Sequence, residues 1–152
     1  MSANLDLLTL YGLYISILAL IFLYLSGQIK ACRRYNVAGL NDSKNPRLMH
    51  AIQARTSFAE YVPFTSLMIL VVSQITAPIM LGTIKPMSIM AHTLFLLLIL
   101  GRVCHVYGML HQNQQVLKTN WQMAYIGQFL TLSVIILATL ILLLNFIYSL
   151  AQ

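Results

Sequence analysis

Long apolar segments separated by short polar links dominate this sequence and limit the folds available to it. They predict four helices, over about residues 5–35, 46–76, 87–110 and 117–150. Each holds enough apolar residues to cross about 30 Å of hydrocarbon as an α-helix. Because lipid offers no hydrogen bonds to an open backbone, such segments span membranes as helices. The sequence therefore predicts an all-α, integral membrane four-helix bundle, a single membrane domain covering residues 1–152.

The low charge content excludes a water-soluble domain. Only 8% of the 152 residues are charged and 59% are hydrophobic, whereas soluble domains carry about 25% charged residues. The formal net charge of +6 could suggest nucleic acid, but the basic residues lie between the apolar segments, where membrane topology explains them. We therefore expect membrane lipid, and no nucleic acid, as a partner.

The basic residues also indicate how the helices are oriented. Those in or beside the first link are Lys30, Arg33, Arg34, Lys44, Arg47 and Arg55. Lys118 lies beside the third link, and the opposite side of the membrane holds only Lys85. By the positive-inside rule, we expect loops 1–2 and 3–4 in the cytoplasm and both termini outside.

The second predicted helix carries a polar face at its start. On a helical wheel, His50, Gln53, Ser57, Glu60 and Phe64 fall within an arc of about 80°. The helix is almost wholly apolar beyond this point. A carboxylate where a helix turns hydrophobic is costly unless it is paired, which makes Glu60 a candidate functional residue.

A guanidinium follows an apolar run in the third predicted helix. Arg102 and His105 are i, i+3 neighbours and share one face. Arg102 needs a partner, and Glu60 is the acid on the cytoplasmic half of a helix, so we predict an Arg102–Glu60 pair between helices 2 and 3. Such a pair could serve only to hold the two helices together, or it could also order a polar pocket.

Two segments of the sequence resemble the signature segments of a known family. They are residues 58–63 (FAEYVP) and, about 40 residues later, residues 101–108 (GRVCHVYG). Both are similar to segments of the MAPEG superfamily, the membrane-associated proteins in eicosanoid and glutathione metabolism, and the likeness is closest to its bacterial branch. The resemblance covers nearly the whole chain.

The resemblance implies a homotrimer of four-helix subunits in a bacterial inner membrane. Glutathione would be the co-substrate, bound between subunits near the cytoplasmic side. Family members conjugate it to lipophilic electrophiles, reduce lipid hydroperoxides, or isomerise eicosanoids. Such a site needs cations and amides for the carboxylates of glutathione, a carboxylate for its amine, and a donor that stabilises its thiolate.

The family's helix 2 motif, RxxxNxxE, is only partly present. Glu60 matches the motif's glutamate, which is suited to the glutathione amine. Ser57 stands at the asparagine position and Gln53 at the arginine position. Gln53 cannot hold a carboxylate with a charge-assisted contact, and losing that contact is expected to weaken binding by about tenfold to a hundredfold. Arg33 and Arg34 resemble paired arginines at the end of helix 1 in several family enzymes and could supply the missing cation.

Helices 3 and 4 supply the remaining candidates. Arg102 and His105 match family positions that bind glutathione, whereas Met109 replaces a tyrosine of some family enzymes. Without gaps, Lys118 aligns with the arginine that stabilises the thiolate, so it is the candidate catalytic residue, although lysine lacks the forked geometry of arginine. No residue spacing suggests a metal site.

The sequence leaves three functional hypotheses. The first is a glutathione-dependent transferase or peroxidase acting on a lipophilic small molecule from the bilayer. The second is a non-catalytic scaffold with the same fold and weakened glutathione binding. The third is a small proton-coupled exporter that uses Glu60 as its carrier, which fits the charge placement but not the resemblance.

Overall fold

Four helices make up the computed structural model of the protein, which describes residues 2–35, 46–75, 86–111 and 117–151. The helices are α1 (Ser2–Tyr35), α2 (Pro46–Ile75), α3 (Pro86–Leu110) and α4 (Leu117–Leu150). All four are long and apolar enough to cross a membrane. The prediction of an all-α, multi-pass membrane bundle is confirmed.

The two middle helices hold the bundle together. α2 contacts each of the other three helices, and α3 and α4 form the most extensive pairing. Across the described residues, α1 and α4 do not contact each other. α1 and α4 therefore lie on opposite sides of the α2–α3 pair, and each leaves a broad outer face uncovered.

These outer faces are apolar. Phe129 is 73% exposed on α4, and Leu20 is 65% exposed on α1. In water such exposure would be costly, at about 25 cal/mol per Å² of apolar surface. In a bilayer these side chains meet lipid tails or another apolar protein surface, so the exposure agrees with membrane insertion.

Aromatic rings join α1 to α3 in the half of the bundle away from the first link. Phe95 lies at the centre of this cluster. The ring of Tyr14 stacks on it at 5.1 Å, and the ring of Tyr11 meets it edge-on at 5.3 Å. The hydroxyl of Tyr14 also lies 3.3 Å from Nδ1 of His92. This packing fixes α1 against α3 far from the basic residues.

The opposite end of the bundle, where α1 and α3 end and α2 and α4 begin, is called the basic end below. It carries a small apolar cluster formed by Ile29, Leu48 and Ala51, from α1 and α2. The charged side chains that the structure describes at this end are Lys30, Arg33, Arg34, Arg47 and Arg55, all exposed.

α3 and α4 approach each other most closely where two glycines face each other. A Cβ on Gly101 would lie 3.0 Å from the carbonyl oxygen of Gly127, and a Cβ on Gly127 would lie 2.8 Å from Cα of His105. Small residues of this kind allow the backbones of membrane helices to pack closely. The crossing sets the position of the polar residues on α3, Arg102 and His105.

Candidate functional site

Arg102 is the centre of a polar cluster inside the bundle. Its side chain is fully buried. One terminal nitrogen, Nη1, donates to the hydroxyl of Ser57 at 3.2 Å and to the carbonyl of Ser57 at 3.4 Å. The guanidinium also lies 5.3 Å from the ring centre of Tyr61. α3 is thus tied to α2 through the arginine, as the sequence indicated, but through a different partner.

The predicted Arg102–Glu60 pair is wrong. Ser57 accepts the hydrogen bonds of Arg102, while Glu60 is exposed on the surface of the subunit. The reason is the direction of the side chains on α2. Ser57 and Tyr61 lie one turn apart and face α3. Glu60 lies about 100° away from Tyr61 around the helix and so points away from Arg102. The polar face of α2 is therefore divided between the interior and the surface.

Two nitrogens of the guanidinium, Nε and Nη2, are buried and have no hydrogen-bond partner within the described part of the chain. An unsatisfied buried donor costs about 1–3 kcal/mol, and more when the group is charged. A buried cation with unused donors can hold an anion that enters from outside the subunit.

His105 lies one turn further along α3 and is also buried. Its Nδ1 is 3.0 Å from the carbonyl oxygen of Ala124 on α4. Because a carbonyl can only accept, Nδ1 must carry the hydrogen. The other ring nitrogen, Nε2, is buried without a partner among the described residues. His105 therefore adds a third unsatisfied polar atom to the two nitrogens of Arg102.

Gln128 connects α4 to the same cluster and did not emerge from the sequence analysis. The hydroxyl of Ser57 donates to Oε1 of Gln128 at 3.4 Å. Ser57 thus accepts from Arg102 and donates to Gln128, which links three helices through one hydroxyl. The available signal was an amide within an otherwise apolar span, since such residues commonly face the interior of a bundle.

The structure separates the remaining site candidates from Arg102. Gln53 and Glu60 flank Ser57 along α2, and both are exposed. Arg33 and Arg34 are exposed in the last turn of α1. The ring of Phe22 on α1 lies 5.9 Å from the ring of Phe58, so Phe22 is level with Ser57 along the bundle. Arg33 follows Phe22 by eleven residues and therefore lies about 16 Å further along the bundle axis, at 1.5 Å per residue.

Lys118 and Met109 are the remaining two positions that the family resemblance singled out. Lys118 lies in the first turn of α4, and its side chain is outside the described part of the structure. Met109 is 8% exposed and packs in the apolar core. The structure therefore brings Ser57, Arg102, His105 and Gln128 together, beneath a surface that presents Gln53 and Glu60.

Comparison with known proteins identifies a family for this chain. The family model described as MAPEG family matches residues 11–144, which include all or most of each of the four helices. The match contains both sequence segments discussed above and the whole Arg102 cluster. No curated protein and no solved structure matches the chain.

Proposed function

The chain belongs to the MAPEG family, and we propose that it is a glutathione-dependent transferase or peroxidase acting on a lipophilic electrophile dissolved in the bilayer. The family is associated with glutathione use, and four membrane-spanning helices place the protein in the phase where such an electrophile concentrates. Glutathione is the co-substrate in this proposal. In conjugation its sulfur bonds to the electrophile, while the thiol loses its proton and the electrophile loses its leaving group or, in an addition, takes up a proton. In the peroxidase reaction a hydroperoxide is reduced to an alcohol and water, while two glutathione molecules are oxidised to the disulfide.

The observation that carries the proposal is the buried cation at Arg102, which has no acidic partner within the described part of the chain. The chain has three acidic residues, Asp6, Asp42 and Glu60, and the one on the α2 face does not reach the guanidinium. Two of its nitrogens remain without acceptors among the described residues. An anionic ligand supplies the missing acceptors, and glutathione has two carboxylates and an ionisable thiol.

Each candidate residue has a chemical role in this proposal. Glu60 binds the glutathione amine, and Gln53 and Ser57 offer hydrogen bonds to its carboxylates or amides. Arg33 and Arg34 neutralise a carboxylate from the end of α1, while Arg102 and His105 line the inner wall. Lys118 stabilises the thiolate, since a nearby positive charge lowers the free energy of the ionised sulfur.

The exposed face of α2 supports a binding site that forms between two subunits. Gln53 and Glu60 lie on the surface of one subunit, and Arg33 is about 16 Å along the axis from the Arg102 cluster. A site that needs all of them is completed by a neighbouring copy, as in the homotrimer that the family resemblance implies. We place the basic end in the cytoplasm of a bacterial inner membrane, where water-soluble glutathione is available, with the termini outside.

A non-catalytic scaffold of the same fold is the second candidate. It is favoured by one observation, the neutral and exposed Gln53 at the position where the family motif has arginine. Without that charge, a glutathione carboxylate loses a bidentate contact. In this alternative the fold and the assembly remain, and the affinity for glutathione is too low for turnover.

Calorimetric titration of detergent-purified protein with glutathione tests the proposal. We expect binding by the wild-type protein, and Gln53→Arg should tighten it by about tenfold to a hundredfold, because it restores a charge-assisted contact to a carboxylate. Gln74→Arg makes the same exchange at an exposed position near the far end of α2 and should leave the affinity unchanged.

Two results would count against this account. No heat of binding from either the wild type or Gln53→Arg would leave the scaffold as the better description. Equal gains from Gln53→Arg and Gln74→Arg would mean that added charge acts nonspecifically and that Gln53 does not face the ligand.

A further inference from the structure

Gln128 lies where α4 meets the α2 face that is the candidate glutathione surface. It is partly exposed, and its Oε1 accepts a hydrogen bond from the hydroxyl of Ser57 at 3.4 Å. On α2, Ser57 lies between the exposed side chains of Gln53 and Glu60, within about 60° of each around the helix. Gln128 therefore reaches from α4 to the middle of the surface that Gln53 and Glu60 present.

The bond from Ser57 fixes the direction of the Gln128 amide. Because Oε1 is turned toward Ser57, Nε2 points away from it with two hydrogens to donate. Arg102 donates from Nη1 to the same serine hydroxyl at 3.2 Å. Hydrogen bonds in a chain polarise one another, so the bond from Arg102 strengthens the bond from Ser57 and makes Nε2 a better donor. Gln128 is thus an oriented, uncharged donor at the edge of the Arg102 cluster.

The height of this donor along the bundle matches one uncharged group of glutathione. Glu60 and Ser57 are three residues apart, about 4.5 Å along α2 at 1.5 Å per residue, and Gln128 is level with Ser57 through their hydrogen bond. In glutathione, four bonds separate the amine nitrogen from the γ-glutamyl carbonyl carbon, about 5 Å in an extended chain. When the amine binds Glu60 and the peptide runs toward the basic end, that carbonyl lies level with Gln128.

The same spacing distinguishes the γ-linkage of glutathione from an ordinary peptide bond. In the isomeric tripeptide with an α-linkage, two bonds separate the amine nitrogen from the first carbonyl carbon, about 2.5 Å. With its amine on Glu60, that carbonyl reaches only about half of the ~4.5 Å rise to the level of Gln128. The separation of Glu60 and Gln128 along the bundle therefore favours the γ-linked peptide.

We propose that Gln128 is a specificity-determining residue that donates from Nε2 to the γ-glutamyl carbonyl oxygen of glutathione. The inference rests on the proposed function, because it takes the glutathione amine to bind Glu60. Ser57 holds the amide of Gln128 in the orientation that this bond needs. A peptide whose carbonyl does not reach Nε2 leaves a desolvated polar group without a partner, which costs binding free energy.

Calorimetric titration of the detergent-purified protein with glutathione and with its α-linked isomer, both kept reduced, tests this proposal. The two peptides carry the same ionisable groups, so the ratio of their affinities reports the linkage. Wild-type protein should bind glutathione more tightly than the isomer. Gln128→Met should lower that preference by about threefold to tenfold, the effect of one hydrogen bond. Methionine has a similar length, and the hydroxyl of Ser57 can then donate to a carbonyl of its own helix.

Two further variants separate binding from packing. Gln74→Met makes the same exchange at an exposed position about 25 Å from Ser57 along α2 and should leave the preference unchanged. Gln128→Glu keeps an acceptor for the hydroxyl of Ser57 but removes the N–H donors, so it should also lower the preference. Because both peptides carry the same charge, the added carboxylate affects them alike. This variant also serves if Gln128→Met fails to fold by circular dichroism.

The possible failures are distinguishable. If wild-type protein binds both peptides equally, or if the Gln128 variants keep the wild-type preference, the role of Gln128 is overturned while the proposed function stands. A loss of affinity by the same factor for both peptides would mean that Gln128 only packs α4 against α2. A folded wild-type protein that binds neither peptide would contradict the proposed function, and this inference with it.

Discussion

Gly127→Ala is expected to lower the free energy of unfolding by about 1–3 kcal/mol, the usual cost of inserting a methyl group into a packed interior. The added Cβ would meet the carbonyl oxygen of Gly101 and the backbone of His105. Those atoms belong to a helix backbone and cannot rotate away as a side chain end could. α3 and α4 would have to separate, which also weakens the bond from His105 to the carbonyl of Ala124.

The chain supplies its own controls for this substitution. A Cβ on Gly12 or on Gly27 would meet nothing within 4 Å. Alanine there should be neutral or stabilise α1 by about 0.5–1 kcal/mol, since glycine is the poorer helix former. Thermal unfolding in detergent, followed by circular dichroism, measures all three variants. A melting temperature for Gly127→Ala equal to that of Gly12→Ala would contradict the close α3–α4 crossing.

Arg102→Met should leave the fold intact while weakening glutathione binding by about tenfold to a hundredfold. Removing a buried charge often leaves stability unchanged or raises it when an apolar side chain fills the space. Stability is expected to be retained here, because the hydroxyl of Ser57 keeps a hydrogen-bond partner: it still donates to Gln128 after the arginine is gone. Two unsatisfied nitrogens also disappear with the guanidinium.

Stability and affinity should be measured on the same preparations of Arg102→Met. Thermal unfolding should show a melting temperature at or above that of the wild type, and calorimetry should show the loss of affinity. Leu100→Met is the control, since it places methionine at an exposed position two residues before Arg102 and should change neither quantity. A large fall in melting temperature with unchanged affinity would make Arg102 a purely structural residue.

The fold could be predicted from the sequence because segment length and polarity decide it. A run of apolar residues long enough to cross the bilayer has few alternatives to a helix. Local signals also mark where helices begin. Asparagine is favoured just before a helix and proline at its first position, so Asn45 and Pro46 predict a start at Pro46, where α2 begins. None of this depends on knowing which helix faces contact one another.

The site could be predicted only in part, because its details depend on the rotation of each helix. The sequence indicated that Arg102 is buried and needs a partner from α2. It also suggested Glu60 as that partner, because Glu60 is the acid on the cytoplasmic half of a helix. The 80° arc of polar residues on the wheel does not show which of its sides faces α3. In the structure, α3 packs against the Ser57 and Tyr61 side of that arc and leaves Glu60 exposed.

The contribution of α4 could not be foreseen for a related reason. This helix is apolar around nearly its whole circumference, so its sequence has no period that selects the face toward α3. Gly127 and Gln128 lie on the contact side only because the α3 backbone approaches there. An amide in an apolar span was a visible sign, but its partner could not be identified from the pattern alone.

The central claim is that this chain binds glutathione and ionises its thiol, and stopped-flow ultraviolet absorbance of the thiolate tests it most directly. On mixing detergent-purified protein with millimolar glutathione at neutral pH, we expect a rise in thiolate absorbance that saturates with concentration and is lost in Arg102→Met. A trace that stays flat for the folded wild-type protein would contradict the claim.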